Sequence, residues 1–578
     1  MFARSHGTTA LSLQAPPESP DPDPAAPGSP AIAAREHSRT PHPTTPQTAA
    51  PHPAAPQAAG FTYRETVIII AGLMLGMFLA ALDQTIVATA LPRIAADLHG
   101  GEHLSWVISA YLLTATAATP IYGKLSDLYG RKIMLQIAIT VFLAASVLCA
   151  LAGSIGALIA ARALQGLGGG GLLAMAHATI ADVVSPRERG RYQAYIASMF
   201  ATASVLGPVL GGVFADHLGW PWVFWINLPI GLGALVMSQL VLRRLTPKRV
   251  RHDIDYPGAV LIVATVGCVL MVTTLIGEGT AWDAPLLLSL AGAAALLLAV
   301  TVLQQRRARE AILPPRLFAN RIFRTASLTT VLTSAVMLGA IVFMPLFLQL
   351  VFRLPADTTG LMLIPLTAAT VMGAVTSGRL MATTGRYKPF PLIGITLNIA
   401  GLVALSFVSR ETPLPLVSGA MALCGVGIGL VMPVMLVSVQ NAVGTRDLGA
   451  ASASVSFFRS IGGSIGVALF AAVLMATLNG ALRSVIGAEA LGPNPALALL
   501  HAGAGAQALL PAISGDVSAA ILRAFHTVFL TGALIAALAF VNTLFLAEIP
   551  LRTTIGDDAD EEAEEPAASV PACRCAAE

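Results

Sequence analysis

The chain has 578 residues, of which 55% are hydrophobic and only 11% charged, whereas a soluble globular domain carries about 25% charged residues. So much apolar surface cannot be covered in water, so the composition indicates a membrane protein and excludes a soluble enzyme, a nucleic-acid binder and a disordered scaffold. The net charge of +3 is too small to indicate a polyanionic partner, and no nucleic acid is expected.

Residues 1–60, with stretches such as PHPTTPQTAAPHPAAPQ, lack the apolar residues that would offset ordering entropy. They predict a disordered, partly polyproline tail. No compact charged start precedes an apolar run there, so the segment does not read as a signal peptide. Apolar runs near the roughly 20 residues that a helix needs to cross a bilayer then recur. Fourteen spans are predicted: 66–91, 104–122, 133–153, 156–181, 192–215, 222–242, 257–277, 285–303, 325–352, 359–381, 389–408, 414–440, 450–476 and 521–546. Between the last two, the Ala-, Gly- and Leu-rich segment 477–520 predicts an extracytoplasmic loop that contributes little to activity. DDADEEAEE at 557–565 makes residues 551–578 an acidic disordered tail. The five cysteines support no disulfide framework: Cys149, Cys268 and Cys424 stand singly in apolar runs. Cys573 and Cys575, in the tail, could hold a soft metal only weakly, and no metal site is expected.

Lys and Arg set the orientation. Counting Arg379 and Arg523, which lie at span ends, with the adjacent connections, even-to-odd connections hold 21 of them and odd-to-even connections five. This places both termini in the cytoplasm and favours an even number of spans. An internal repeat lies on the same side. Gly123, Leu125, Gly130 and Arg131 after the second span match Gly378, Leu380, Gly385 and Arg386 after the tenth at a constant offset of 255. A parallel repeat of six-helix halves, with two further helices inserted between them, explains the spacing.

These segments resemble the major facilitator superfamily, and specifically its fourteen-helix drug:proton antiporters. GKLSDLYGRK (123–132) is similar to the family's loop 2–3 signature and LDQTIVATALP (82–92) to its first-helix signature. ARALQGLGGGG (161–171) resembles the fourth-helix signature, and SVLGPVLGG (204–212) the antiporter signature of the fifth helix. WPWVFWINLPIG (220–231) and FFRSIGGSIGVAL (457–469) resemble segments of the fourteen-helix subgroup. The resemblance covers about residues 61–550. It implies an all-α membrane protein with a six-helix half at 61–245, two inserted helices at 246–310 and a second six-helix half at 311–550. It implies a multi-pass protein of the bacterial inner (plasma) membrane that exports small amphipathic compounds, cationic or neutral, by alternating access. The proton gradient would supply the energy, and no cofactor is expected. A periplasmic adaptor and an outer-membrane duct are expected partners only in a Gram-negative cell.

Of the 19 acidic residues between the tails, Asp83 alone lies well inside a span. A carboxylate in hydrocarbon must face a cavity, pair or be protonated. Asp83 is therefore the expected proton-coupling residue, the alternative being a helix-packing hydrogen bond. Asp83→Asn is expected to insert normally and lose gradient-driven efflux. The resemblance implies that Arg162 tunes a nearby carboxyl or takes part in proton transfer; otherwise it snorkels to the outer interface. Gly207, Pro208, Gly211 and Gly212 give the fifth span a small-residue face with a kink, suited to a tight gate or to ordinary close packing. Gly123, Asp127, Gly130 and Arg131 are implied to form a loop that locks the halves, with Asp127 facing the positive N-terminal end of the thirteenth helix. Gln349, Asn398, Gln440, Asn441 and Arg459 are candidate cavity-lining residues of the second half. His177 and His526 read as packed polar residues or proton relays.

Two enzyme-like patterns lack their structural context. Gly462-x-Ser464-x-Gly466 falls in an apolar helix rather than a strand-to-helix turn. Gly166, Gly168 and Gly171 fit a dinucleotide fingerprint without a βαβ unit. The leading expectation is thus a drug:proton antiporter. The alternatives are a dedicated exporter of one metabolite or antibiotic and, distantly, an intramembrane serine hydrolase.

Overall fold

The computed structural model describes residues 63–98, 104–241, 255–277, 280, 283–308, 310–444, 447–486 and 515–552. The tail expected at 1–60 and all but Leu551 and Arg552 of the tail expected at 551–578, with Cys573 and Cys575, lie outside the described residues, as do Arg309 and positions 487–514.

Fourteen long helical units stand at the fourteen apolar runs. The first half holds α1 (Tyr63–Leu98), α2 (Leu104–Tyr129), α3 (Arg131–Ala150), α4 (Ile155–Val183), α5 (Pro186–Val213) and α6, in two segments, Trp222–Trp225 and Asn227–Val241. The inserted pair is α7 (Tyr256–Gly277) and α8 (Pro285–Arg307). The second half holds α9 (Arg321–Val351), α10 (Ala356–Met362 and Ile364–Thr384), α11 (Pro389–Ser406), α12 (Leu414–Ala442), α13 (Leu448–Ile486) and α14 (Gly515–Leu544). Thirteen of these are long and apolar enough to cross a membrane. The fourteenth, α2, has 26 residues but carries a Thr-rich middle and a charged end.

Local sequence explains several ends. Ser154 accepts a hydrogen bond from the Ala157 amide at 3.2 Å, and the Asn320 side chain accepts from Ile322 and Phe323, capping α4 and α9. The repeated glycines 130 and 385 both have positive φ, +91° and +69°. A side chain would be strained there, so the same residue ends α2 and α10. One boundary moves: α13 continues to Ile486 and α14 starts at Gly515, so both ends of the loop expected at 477–520 are helical. Hydropathy marks where a segment stops being apolar, whereas helix-forming residues such as Ala481, Leu482 and Arg483 continue the helix beyond that point.

Within the first half, α2 and α3 pack on α4, and α1 packs on α4, α5 and α6. The second half repeats the scheme: α10 and α11 pack on α12, while α9 packs on α12, α13 and α14. The inserted α7 leans on α2 and α13, and α8 packs on α7. The halves meet along α2–α13, α4–α13, α5–α10 and α5–α12, whereas all extensive contacts of α1 lie within its own half. The cation-rich end is closed. A Cβ at Gly123 would overlap Ala453, and at Gly190 it would come within 2.7 Å of the Gly378 carbonyl oxygen.

Candidate functional site

Asp83 and Arg162 are 0% and 1% exposed, so neither snorkels nor opens onto water in this conformation. They form one buried knot between α1, α2, α3, α4 and α6. Arg162 Nη1 donates to Asp83 Oδ2 and to Gln165 Oε1, both at 2.6 Å, and Arg162 Nε donates to the Val107 carbonyl at 3.3 Å. Asp83 Oδ1 accepts from Gln165 Nε2 at 2.9 Å and from Asn227 Nδ2 at 3.0 Å. The second protons of those amides reach Ser146 Oγ at 2.8 and 3.3 Å. The Arg162 guanidinium lies 4.3 Å from the Tyr111 ring centroid. A charge pair so far from water persists only with hydrogen bonds around it, and Arg162 Nε and Nη1 and both Asp83 oxygens have them here. The sequence reading missed Gln165, Asn227, Ser146 and Tyr111. Gln165 stands three residues after Arg162 on one helix face, and Asn227 is an amide inside a span; both signals were available.

The equivalent place in the second half, between α9, α11, α12 and α14, holds no charge. Thr333 and Asn398 line a small cavity there with Val336, Ile395, Gly427 and Val431. Asn398 Nδ2 donates to the Cys424 carbonyl at 3.3 Å, and its Oδ1 has no partner.

At the closed end, Asp127 accepts from the Gly449 and Ala450 amides at 3.2 and 2.9 Å, which are the first free N–H groups of α13. Arg131 bridges Asp127 and Asp182 at 2.6 Å each, and Gly130 supplies the turn between them. Burial pushes the Asp127 carboxyl up to about 6, although the Arg131 guanidinium pulls it down. The charge thus loses more on leaving water than Arg131 and α13 return. Lys124 pairs with Glu310 at 2.7 Å, and Arg187 donates to the Ala382 carbonyl at 2.8 Å.

On α5, Gly207 and Gly211 face α1. A Cβ at Gly207 would lie 2.6 Å from Thr85 Cβ, and one at Gly211 would lie 2.5 Å from the Ile86 carbonyl oxygen. Gly212, expected on the same packed face, meets nothing within 4 Å. Pro208 sits inside α5 on its exposed side. Gly211→Ala should therefore destabilise the folded protein by about 1–3 kcal/mol through overpacking. Gly212→Ala should stay within about 0.5 kcal/mol of wild type. Thermal melting in detergent checks the contrast, and equal melting of the two variants would refute it.

The remaining candidates scatter. Asn441 is fully buried and pins the chain after α14: its Nδ2 donates to the Pro550 carbonyl, and its Oδ1 accepts from the Arg552 amide. Gln440 Nε2 donates to Ser452 Oγ at 2.9 Å. Gln349 and Arg459 are partly exposed. His177 is buried with Nδ1 unpartnered, and His526 Nε2 lies 2.7 Å from the Val408 carbonyl. Ser464 stays in α13, where its hydroxyl donates to the Ser460 carbonyl at 3.1 Å. The G-x-S-x-G pattern is thus a helix-packing surface, with Gly466 against Ala335 of α9. Likewise Gly166, Gly168 and Gly171 pack α4 against α2 and α3.

Residues 73–467 match the family model described as the Major Facilitator Superfamily. An uncharacterised MFS-type transporter of Mycobacterium tuberculosis is 37% identical over 500 residues, covering 86% of this chain and 71% of that protein. A multidrug transporter protein of Bacillus subtilis is 33% identical, covering 86% and 95%. Among solved structures, a human organic anion transporter gives a TM-score of 0.54 at 15% identity, covering 82% of this chain and 99% of its own, which supports the fold alone. The family match spans more than half of the chain and agrees with the fourteen-helix, two-half architecture, so the protein is a multi-pass membrane transporter, not an enzyme, and belongs to the major facilitator superfamily.

Proposed function

We propose that the protein is a proton-coupled efflux transporter that exports amphipathic drugs or toxic compounds, with both termini in the cytoplasm. The Bacillus relative's name supports drug export. The observation that carries proton coupling is the Asp83–Arg162 pair, 2.6 Å apart and sealed among α1, α2, α3, α4 and α6. Protonating Asp83 removes the partner of Arg162 and disturbs the amides of Gln165 and Asn227, so one proton can change how five helices pack. The 21-to-5 imbalance of loop cations supports reading the closed end as cytoplasmic. Gly123, Asp127, Gly130 and Arg131 then form the inner gate, and alternating access opens it. The energy comes from the proton gradient, with no cofactor. Asp83 is committed to Arg162, which weakens the case for a cargo held by that carboxylate as a cation.

The test is ethidium transport into inverted vesicles that contain the purified protein. An acid interior should drive accumulation, and a protonophore should stop it. Accumulation at the same rate without a proton gradient would remove proton coupling from the reading. If ethidium and other dyes are ignored while one compound is carried, the reading as a dedicated exporter of one metabolite or antibiotic is the correct one.

A further inference from the structure

The two intramembrane arginines are treated differently by the fold. Arg162 is matched by Asp83, Gln165, the Val107 carbonyl and the Tyr111 ring. Arg459 has no carboxylate within salt-bridge distance, no hydrogen-bond acceptor and no aromatic face among the described residues. It is also partly exposed, whereas Arg162 is sealed. A guanidinium inside a span without a counter-charge is unfavourable, and such residues mark binding pathways.

Its surroundings are the seam between the halves. His177, on α4, shares a helix face with Ala181, which packs into the second half's core. Gln440 of α12 reaches across to the His177 carbonyl at 3.5 Å and to Ser452 of α13 at 2.9 Å. Arg459 lies seven residues beyond Ser452 on the same face of α13, about 10 Å farther from the closed end. His177 Nδ1 and Gln440 Oε1, both buried, have no partner. The seam thus offers a guanidinium, an imidazole nitrogen and an amide oxygen, all uncommitted, while Asp83, the acid deep in the spans, is committed elsewhere.

We propose that Arg459 is the receptor for an anionic group, a carboxylate, carried by the exported molecule, with Gln440 Oε1 accepting from a neighbouring donor on the same molecule. The cargo would then be an amphipath bearing an acid group, as a monoanion or a zwitterion. The proposal rests on reading the chain as a transporter that takes its cargo between the two halves.

Rhodamine B and rhodamine B ethyl ester share one ring system and differ in whether the carboxylate is free. Their binding to the purified full-length protein in detergent, followed by fluorescence anisotropy, requires no gradient. Wild type should bind the free acid about tenfold more tightly than the ester, the scale of a charge-assisted hydrogen bond. Arg459→Gln should bring the acid to the ester's affinity and leave the ester unchanged, and Arg459→Lys should keep part of the preference. Benzoate should displace the acid from wild type but not the ester, a readout that holds even if Arg459→Gln does not fold. Equal affinity of wild type for the two dyes, equal loss of both in Arg459→Gln, or no displacement by benzoate overturns the proposal. Gradient-driven ethidium efflux with no acid preference refutes the receptor alone. An acid preference without gradient dependence refutes proton coupling alone.

Discussion

Asp83→Asn is expected to abolish gradient-driven efflux and also to lower the melting temperature of the purified protein. The sequence by itself suggests a quiet substitution, because Asn preserves size and hydrogen bonding. The knot changes that expectation. Arg162 is 1% exposed, and the carboxylate 2.6 Å away is its counter-charge. An amide in its place leaves the guanidinium buried and uncompensated, at a cost of about 3–5 kcal/mol. Arg162→Gln should destabilise comparably, since Asp83 would keep only the amides of Gln165 and Asn227. The double variant Asp83→Asn with Arg162→Gln removes both charges and keeps a network of neutral amides. It should melt close to wild type, because replacing a whole buried pair is often neutral. It should still fail to pump, because no group remains to take up the proton. This outcome separates coupling from packing, which the single variants cannot do. If the double variant exports ethidium at the wild-type rate, Asp83 is a structural residue and the proton carrier lies elsewhere.

Acidifying the cytoplasmic side from pH 7 to pH 5 is expected to raise the population in which the halves meet at that end. With the gate closed, burial lifts the Asp127 carboxyl from 3.8 to about 6, against the pull of Arg131. When the gate opens and water reaches Asp127, the carboxyl returns toward its ordinary value, near 3.9. The closed conformation therefore binds the proton more tightly. It gains as pH falls through about 6, and the gain is complete below the open-state value. Protonation removes the desolvation cost that the carboxylate carries in the closed gate, so the closed-to-open ratio rises on acidification. Asp127→Asn mimics the protonated group and retains an acceptor for the first amides of α13. It should favour the closed population at pH 7 and remove most of its pH dependence. Spin labels at the exposed positions Glu188 and Thr384, near the facing ends of α5 and α10, would report the two populations as two distances. A closed fraction that falls on acidification, or an Asp127→Asn variant that titrates like wild type, would sink this account.

Much of the architecture is local information, which explains why it could be read from the sequence. Each span is a run of about 20 apolar residues, set by bilayer thickness and helix rise. The repeated Gly130 and Gly385 report the duplication, because the same positive φ is needed at both turns. Asp83 and Arg162 stand out in the sequence for the same reason: an ionised group in an apolar run is anomalous wherever it points.

What each residue touches was not legible. Asp83 is joined to Gln165 and Asn227 across 82 and 144 residues of chain, and nothing in those intervals marks the pairing. Gly211 and Gly212 are adjacent glycines in one motif, yet one faces α1 and the other open space. Asn441, which resembles a cavity residue in sequence, holds the chain after α14, whereas Arg459 stands at the seam without a counter-charge. Hydropathy fixes which segments are buried in the bilayer, because transfer from water depends on each segment alone. Which face meets which partner is fixed only when the helices pack, because hydrogen bonds and ion pairs depend on positions that distant segments supply together.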